Sequence, residues 1–221
     1  MPSKLSEEQI LAILESAYSG AVYDAMRELG LDDGILPNDI QPVDPNIPLV
    51  GKVWTCSGGI VEGISQDDSL LSWTGMLSAA PSGSVVVCQP NDSTIAHMGE
   101  LSAETLKFRG VKGYIVDGGN RDTDFILKLG FPVFCRYLTP SDIVELWMVQ
   151  TMGEPITIGN VDIKTGDYIV ADRDGAVVIP ASAASNVANR VDEVMNTENE
   201  LRNMILGGMD PQEAYLKYRR F

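Results

Sequence analysis

The sequence predicts an α/β fold with a parallel central sheet, a smaller antiparallel sheet and flanking helices. From Ser84 to Cys135, short apolar runs alternate with helical periodicity as strand, helix, strand, helix, strand, an order that implies parallel pairing through right-handed crossovers. From Pro155 to Ile179, short strands follow one another closely around turn signals and read as antiparallel. Helical patterns at about residues 6–30 and 181–221 flank this core.

Taken in order, Ser6 and Gln9 form a capping-box pattern, and Ile10, Ile13, Leu14 and Ala17 follow at helical spacing. Gly20 suggests a break, after which Val22, Ala25, Met26 and Leu29 make a second apolar face ending at Gly30. Pro37, Pro42, Pro45 and Pro48 crowd the next stretch and predict an extended surface connector. Leu49 to Cys56 reads as a strand, and Ser57-Gly58-Gly59 as a bulge or tight turn, since no Lys-Ser/Thr pair follows to make a phosphate loop. Gln66 to Leu77 is expected to be a helix with Leu70, Leu71, Trp73 and Met76 inward.

Beyond the turn Pro81-Ser82-Gly83, strands are predicted at Ser84 to Cys88, Val111 to Val116 and Pro132 to Cys135, with helices at Leu101 to Arg109 and Asp122 to Leu129 between them. A polar helix-like segment is expected after Pro140. Strands at Pro155 to Val161, Asp167 to Ala171 and Ala176 to Ile179 surround the turns Lys164 to Asp167 and Asp174-Gly175. A long helix at Ala181 to Leu206 and a short one from Pro211 close the chain. With no internal repeat or low-complexity linker, residues 1–221 read as one domain.

A hydrophobic content of 44% with 21% charged residues suits a packed core. The formal net charge of -15 offers no basic stripe for a phosphate backbone, so no nucleic-acid partner is expected. Neither a bilayer-length apolar run nor an apolar signal core is present, so no membrane partner and a cytoplasmic location are expected. Cys56, Cys88 and Cys135 lack CxxC spacing and read as reduced structural thiols, and Trp54, Trp73 and Trp147 as core or subunit contacts.

In an open parallel sheet, ligands bind beyond the carboxyl ends of the strands, marked here by Asn91 to Glu100 and by Asp117 to Asp122. Each end leads into a helix N-terminus, where free amides favour an anion, so the amides of Leu101, Ser102 and Ala103 are candidates to hold a substrate carboxylate. Asp122 is either an N-terminal acid favoured by the helix dipole or, with Asp117, Glu100 and Asp124, part of a setting for a hard cation such as Mg²⁺. The dipole opposes Arg121, which therefore needs a partner. Gly99 permits close backbone approach. His97 has no nucleophile at motif spacing, and Glu100 alone reads equally as a solvated helix-start acid. Glu198, Glu200 and Arg202 are either a charged helix face or a group whose acid completes another chain's site. The residues point to metal-assisted binding of a small carboxylate, without naming a reaction.

Several motifs carry a resemblance: Gly99-Glu100-Leu101, the twenty residues between Glu100 and Arg121, Asp117-Gly118-Gly119-Asn120-Arg121-Asp122 and Pro132-Val133-Phe134. Pro155-Ile156-Thr157-Ile158-Gly159 and the run from Gly166 to Gly175 add to it. Together they resemble the family of the regulator of ribonuclease activity A (RraA-like) and the 4-hydroxy-4-methyl-2-oxoglutarate aldolases, from about Tyr18 to Tyr215. The resemblance implies a swivelling β/β/α domain in homotrimers or homohexamers with sites between subunits. It implies a metal-dependent aldolase that cleaves a small 2-oxo acid to pyruvate, with oxaloacetate decarboxylase activity from the same enolate. The alternative it carries is a non-catalytic regulator that binds a ribonuclease. In the aldolase reading, Asp122 matches the ligand of Mg²⁺ or Mn²⁺, Arg121 steadies the enolate, and Glu100 serves the water in proton transfer. The amides after Gly99 hold the carboxylate, and Glu198 from a neighbouring chain donates a proton. One departure stands out: aldolase members carry an acid three residues after the metal aspartate, where this chain has Phe125, and Asp124 points elsewhere on a helix.

Overall fold

The computed structural model describes residues 4–31 and 34–219. Helix α1 (Glu7–Glu15) starts with the expected capping box: the Ser6 hydroxyl accepts from the Gln9 amide at 3.2 Å, and the Ser6 amide donates to Gln9 Oε1 at 2.9 Å. Helix α2 (Ser19–Glu28) begins before Gly20, which the sequence suggested as a break. The start is set by a distant carboxylate, since the Ser19 amide and hydroxyl each donate to Asp172 at 2.7 Å. Gly30, at φ +72°, ends the segment as expected.

The proline-rich connector holds β1 (Gln41–Pro42), an edge strand where the missing N–H of Pro42 is tolerated. It is not wholly a surface segment, because Leu36 and Ile40 are buried. Next come β2 (Leu49–Ile60), α3 (Gln66–Ala79), β3 (Ser84–Gln89), α4 (Glu100–Phe108), β4 (Gly113–Val116) and β5 (Gly119–Asn120). They are followed by α5 (Thr123–Leu129), β6 (Val133–Cys135), β7 (Tyr137–Leu138), β8 (Trp147–Met152), β9 (Ile156–Ile158) and β10 (Val161–Ile163). The chain continues with β11 (Tyr168–Asp172), β12 (Gly175–Ile179), α6 (Ala184–Leu206) and α7 (Pro211–Tyr218).

The main sheet runs β1-β6-β4-β3-β2-β11-β12, with β8 also paired to β2. Its middle, β2-β3-β4-β6, is parallel, as the alternating pattern predicts. The antiparallel strands β11 and β12 do not form a sheet of their own; they extend the main one through β2, making it mixed. Among the described residues, only the hairpin of β9 and β10, where the sequence suggested a single strand, stands apart as a small antiparallel sheet. The long β2 is what joins the two halves. It continues past the expected Cys56 through a bulge at Ser57/Gly58, so that its second part meets β8. A Cβ on Gly58 would lie 2.0 Å from Trp147 Cζ2, so only glycine fits there.

Both faces of the parallel strands are covered, which explains the unbroken apolar run of β3. Trp54, Val86 and Tyr114 pack on one side with Trp73 and Met76 of α3 and Leu106 of α4, while Val53, Val85 and Ile115 pack on the other with the β9–β10 hairpin. Helices α1, α2 and α6 bury Leu14, Met26 and Val187 against Tyr168 and Val177. Leu71 of α3 is 69% exposed, against expectation, because the buried face of the helix runs through Ser69, Trp73, Met76 and Leu77. The polar stretch after Pro140 forms turns, not a helix, and leads into the unpredicted strand β8, where Trp147 and Val149 are buried in alternation. The three cysteines are free and buried. Among the described residues no helix is long and apolar enough to cross a membrane.

Candidate functional site

Two loop ends are brought together by backbone pairing beyond the strand ends of the parallel sheet. The segment after β3 pairs with the segment after β4: the His97 amide donates to the Gly119 carbonyl at 2.9 Å and the Arg121 amide to the Met98 carbonyl at 3.0 Å. Strand β5, held beside β7, continues this pairing. Gly99-Glu100 and Arg121-Asp122, far apart in sequence, are thereby held side by side.

Gly99 caps α4 in an extended conformation that any residue can adopt, at φ −156°. Its requirement is space: an added Cβ would lie 2.7 Å from Asp122 Oδ2 and 3.2 Å from Arg121 Cγ. Asp122 sits at the start of α5 with φ +56°, a left-handed conformation that is uncommon for a residue other than glycine and is held here by its surroundings. Its Oδ2 accepts from the Glu100 amide at 3.1 Å and stands 3.3 Å from Arg121 Nε, while Oδ1 has no partner among the described residues. Arg121 Nη1 donates to Asp142 Oδ2 at 2.8 Å. The guanidinium opposed by the helix dipole is thus offset by two carboxylates.

These groups border a cavity of about 550 Å³ between α3, the start of α4 and the loop at residues 142–144. Gly99, Glu100, Leu101, Ser102, Arg121 and Asp122 all line it. The amides of Leu101 and Ser102 have no partner among the described residues, whereas the Ala103 amide donates to the Gly99 carbonyl at 3.0 Å and its side chain is buried beneath. On the opposite wall, Trp73 Nε1 donates to Ser102 Oγ at 2.9 Å, which fixes the indole beside the free amides.

Other candidates lie elsewhere. Asp117, a candidate acid for a cation, is ion-paired with Arg136, which also holds Asp39, and does not line the cavity. Asp124 and Phe125, in the first turn of α5, also do not line it, and the Phe125 ring lies under Lys128 Nζ at 5.5 Å. Glu198 on α6 accepts a 2.5 Å hydrogen bond from Tyr18 Oη in a separate groove of about 430 Å³ that Arg202 also lines. That hydrogen bond, with burial, pushes the Tyr18 phenol up to about 12. No group of three or more His, Cys, Asp and Glu side chains is placed to hold a metal among the described residues.

His97 borders the cavity floor, but both ring nitrogens are buried without hydrogen-bond partners, and its ring packs edge-on against Trp147 at 5.2 Å. Burial pushes its pKa down to about 4, with Asp92 at 3.6 Å opposing the shift, so the imidazole is neutral near pH 7. Its side chain belongs to the buried interior, packed on Trp147. Sequence reasoning missed Asp142, the partner of Arg121, because the segment containing it carries no periodic pattern. It also missed the contact of Trp73 with Ser102, which only the packing of α3 on α4 creates.

The family described as RraA-like, Aldolase/RraA, matches residues 19–178. A protein of Halalkalibacterium halodurans named "Putative 4-hydroxy-4-methyl-2-oxoglutarate aldolase" is 29% identical over 187 residues, covering 84% of this chain and 86% of its own. An uncharacterized protein of Pseudomonas syringae pv. tomato has a crystal structure matching with a TM-score of 0.87 at 26% identity, over 99% of this chain and 97% of its own. Streptomyces coelicolor RraAS2, described as an unusual member of the RNase ES inhibitor RraA protein family, matches with a TM-score of 0.79 at 26% identity, over 90% of this chain and 98% of its own.

Proposed function

The chain belongs to the Aldolase/RraA family, and from that premise we propose that it is a divalent-metal-dependent lyase releasing pyruvate from a small 2-oxo acid. One observation carries the reading: the free Leu101 and Ser102 amides, the Arg121 guanidinium and the open Oδ1 of Asp122 border one cavity. An anion-binding helix start, a cation and a carboxylate with a vacant lone pair form a donor set suited to a chelated oxo acid.

Retro-aldol cleavage of a 4-hydroxy-2-oxo acid removes the hydroxyl proton, breaks the C3–C4 bond and leaves its electron pair in the enolate of pyruvate, which then takes a proton at C3. In this reading the Leu101 and Ser102 amides bind the substrate carboxylate and set its orientation. Arg121, whose Nη1 donates to Asp142 and whose Nε stands 3.3 Å from Asp122, has N–H donors left to meet the developing enolate oxygen, where a positioned cation stabilises the charge. Glu100, beside them, accepts and returns the proton through water. Asp122 would hold Mg²⁺ or Mn²⁺ through Oδ1, with water and substrate oxygens completing the shell, as a single carboxylate suffices for Mg²⁺. When bound, the cation supplies Lewis-acid polarisation of the 2-oxo group. The same enolate allows decarboxylation of oxaloacetate. The assembly proposed with this reading is a trimer or hexamer, in which the partner subunit's Glu198 completes the site as proton donor.

The test is release of pyruvate from oxaloacetate and a panel of 4-hydroxy-2-oxo acids, including 4-hydroxy-4-methyl-2-oxoglutarate, with Mg²⁺ or Mn²⁺. Release that disappears in Asp122→Ala supports the proposal; no release from any substrate, or release untouched by Asp122→Ala, refutes it. The second reading, a non-catalytic regulator that binds a ribonuclease, has the similarity to RraAS2 and the net charge of -15 in its favour. Co-purification without any nuclease counts against it.

A further inference from the structure

We propose that this cavity selects a 2-oxo acid whose far end is uncharged and apolar, an alkyl or aryl group, in place of a second carboxylate. The inference rests on the lyase reading for the 2-oxo acid head and goes beyond it in naming the tail. A volume of about 550 Å³ is far more than pyruvate needs and lies in the range of pockets for drug-sized ligands.

The charges decide what the remaining space accepts. Glu100, Asp122 and Asp142 are three carboxylates on the cavity lining, and Arg121 is its one cation among the described residues. Arg121 is already turned to two of those acids. A divalent cation on Asp122 and the two free amides would be taken up by the 2-oxo and carboxylate groups of the head. Among the described residues of this chain's own lining, no positive group is left for a second carboxylate.

The wall that faces the tail is apolar. Leu70, Trp73 and Leu77 recur at helical spacing along α3, and Ile143 and Val144 extend the surface from the loop. The hydrogen bond from Trp73 Nε1 to Ser102 Oγ places the indole next to the amides proposed for the head, so the apolar wall begins where the head ends. Thr74 and Ser78 add hydroxyls but no charge, and Thr74 Oγ1 already donates to the Leu70 carbonyl at 2.8 Å. An unpaired carboxylate on such a wall loses hydration without compensation, whereas an apolar tail gains by leaving water.

The experiment measures binding of two non-cleavable 2-oxo acids by titration calorimetry with Mg²⁺ present, 2-oxo-4-phenylbutanoate and 2-oxoglutarate. The phenyl acid is expected to bind at least tenfold more tightly, and the Thr74→Lys variant, which adds a cation at an exposed helical position of the wall, to reverse or erase that preference. Pyruvate release from 4-hydroxy-2-oxo acids with aryl and with carboxylate tails is measured in parallel. Equal or tighter binding of 2-oxoglutarate by the unaltered protein overturns the inference even where pyruvate is released. The tail preference without pyruvate release from any substrate leaves the inference standing and refutes the lyase reading, and binding of neither acid refutes both.

Discussion

Replacing Gly99 with alanine tests the geometry of the site with the smallest change available. Because φ is −156°, alanine costs no backbone strain at this position, and the loss of chain freedom in the unfolded state is mildly stabilising, by about 0.4–1 kcal/mol. All of the damage must come from the new methyl group. It would lie 2.7 Å from Asp122 Oδ2, 3.2 Å from Arg121 Cγ and 3.3 Å from Arg121 Nε. Ordinary contact with the carboxylate requires a displacement of roughly 0.7 Å, which breaks the hydrogen bond from the Glu100 amide and turns the guanidinium away from its pair. A misplacement of that size in a positioned site costs on the order of 10- to 100-fold in rate. The expected result for Gly99→Ala is therefore a fall of that size in kcat/KM for pyruvate release, a weaker dependence on Mg²⁺ concentration, and a midpoint in urea within error of the unaltered protein. Activity within twofold would refute the reasoning, since Asp122 and Arg121 would then be free to move without consequence.

Three further outcomes are expected. Asp142→Ala removes the acid that holds Arg121 Nη1 and should lower kcat/KM about tenfold, with urea stability unchanged within about 0.5 kcal/mol because the pair is more than a third exposed. Gly58→Ala drives a methyl into Trp147 Cζ2 at 2.0 Å and the Met148 carbonyl at 2.4 Å, so it should cost about 3 kcal/mol or more in urea unfolding, or prevent folding. His97 has a folded pKa depressed to about 4 from 6.5, so between those values the unfolded chain binds the extra proton and stability rises with pH. The contribution is about 1 kcal/mol per pH unit, complete above pH 6.5 and lost as pH falls towards 4. The difference in urea stability between the unaltered protein and His97→Leu, followed across that range, should show this slope; a flat difference would show that His97 titrates normally.

Much of the fold was legible in the chain because its signals are local. Ser6 with Gln9, the apolar run from Ser84 to Cys88 and the glycine at 30 each specify an element through a cap, a period or a positive φ. The elements that were misread depend on distant partners. The start of α2 follows the Asp172 carboxylate, and the turns and strand from Asp142 to Met152 follow the packing of Trp147 under the β2 bulge. The sequence separated the antiparallel strands from the parallel sheet because nothing in β11 records that its neighbour will be β2.

The sequence by itself determined where the candidate groups stand, at two strand ends that lead into helix starts. Gly99, Glu100, Arg121 and Asp122 were recognisable as candidates because they stand at strand ends and helix starts, and the family resemblance singled them out from their neighbours. Only the tertiary structure decided what surrounds them. It placed Asp117 with Arg136, kept Asp124 and Phe125 off the cavity and brought Asp142 to Arg121. It also set the apolar stripe of α3 opposite the free amides. The physical reason is that a helix start is built from consecutive residues, whereas the charge balance and the wall of a cavity come from elements that only folding brings together.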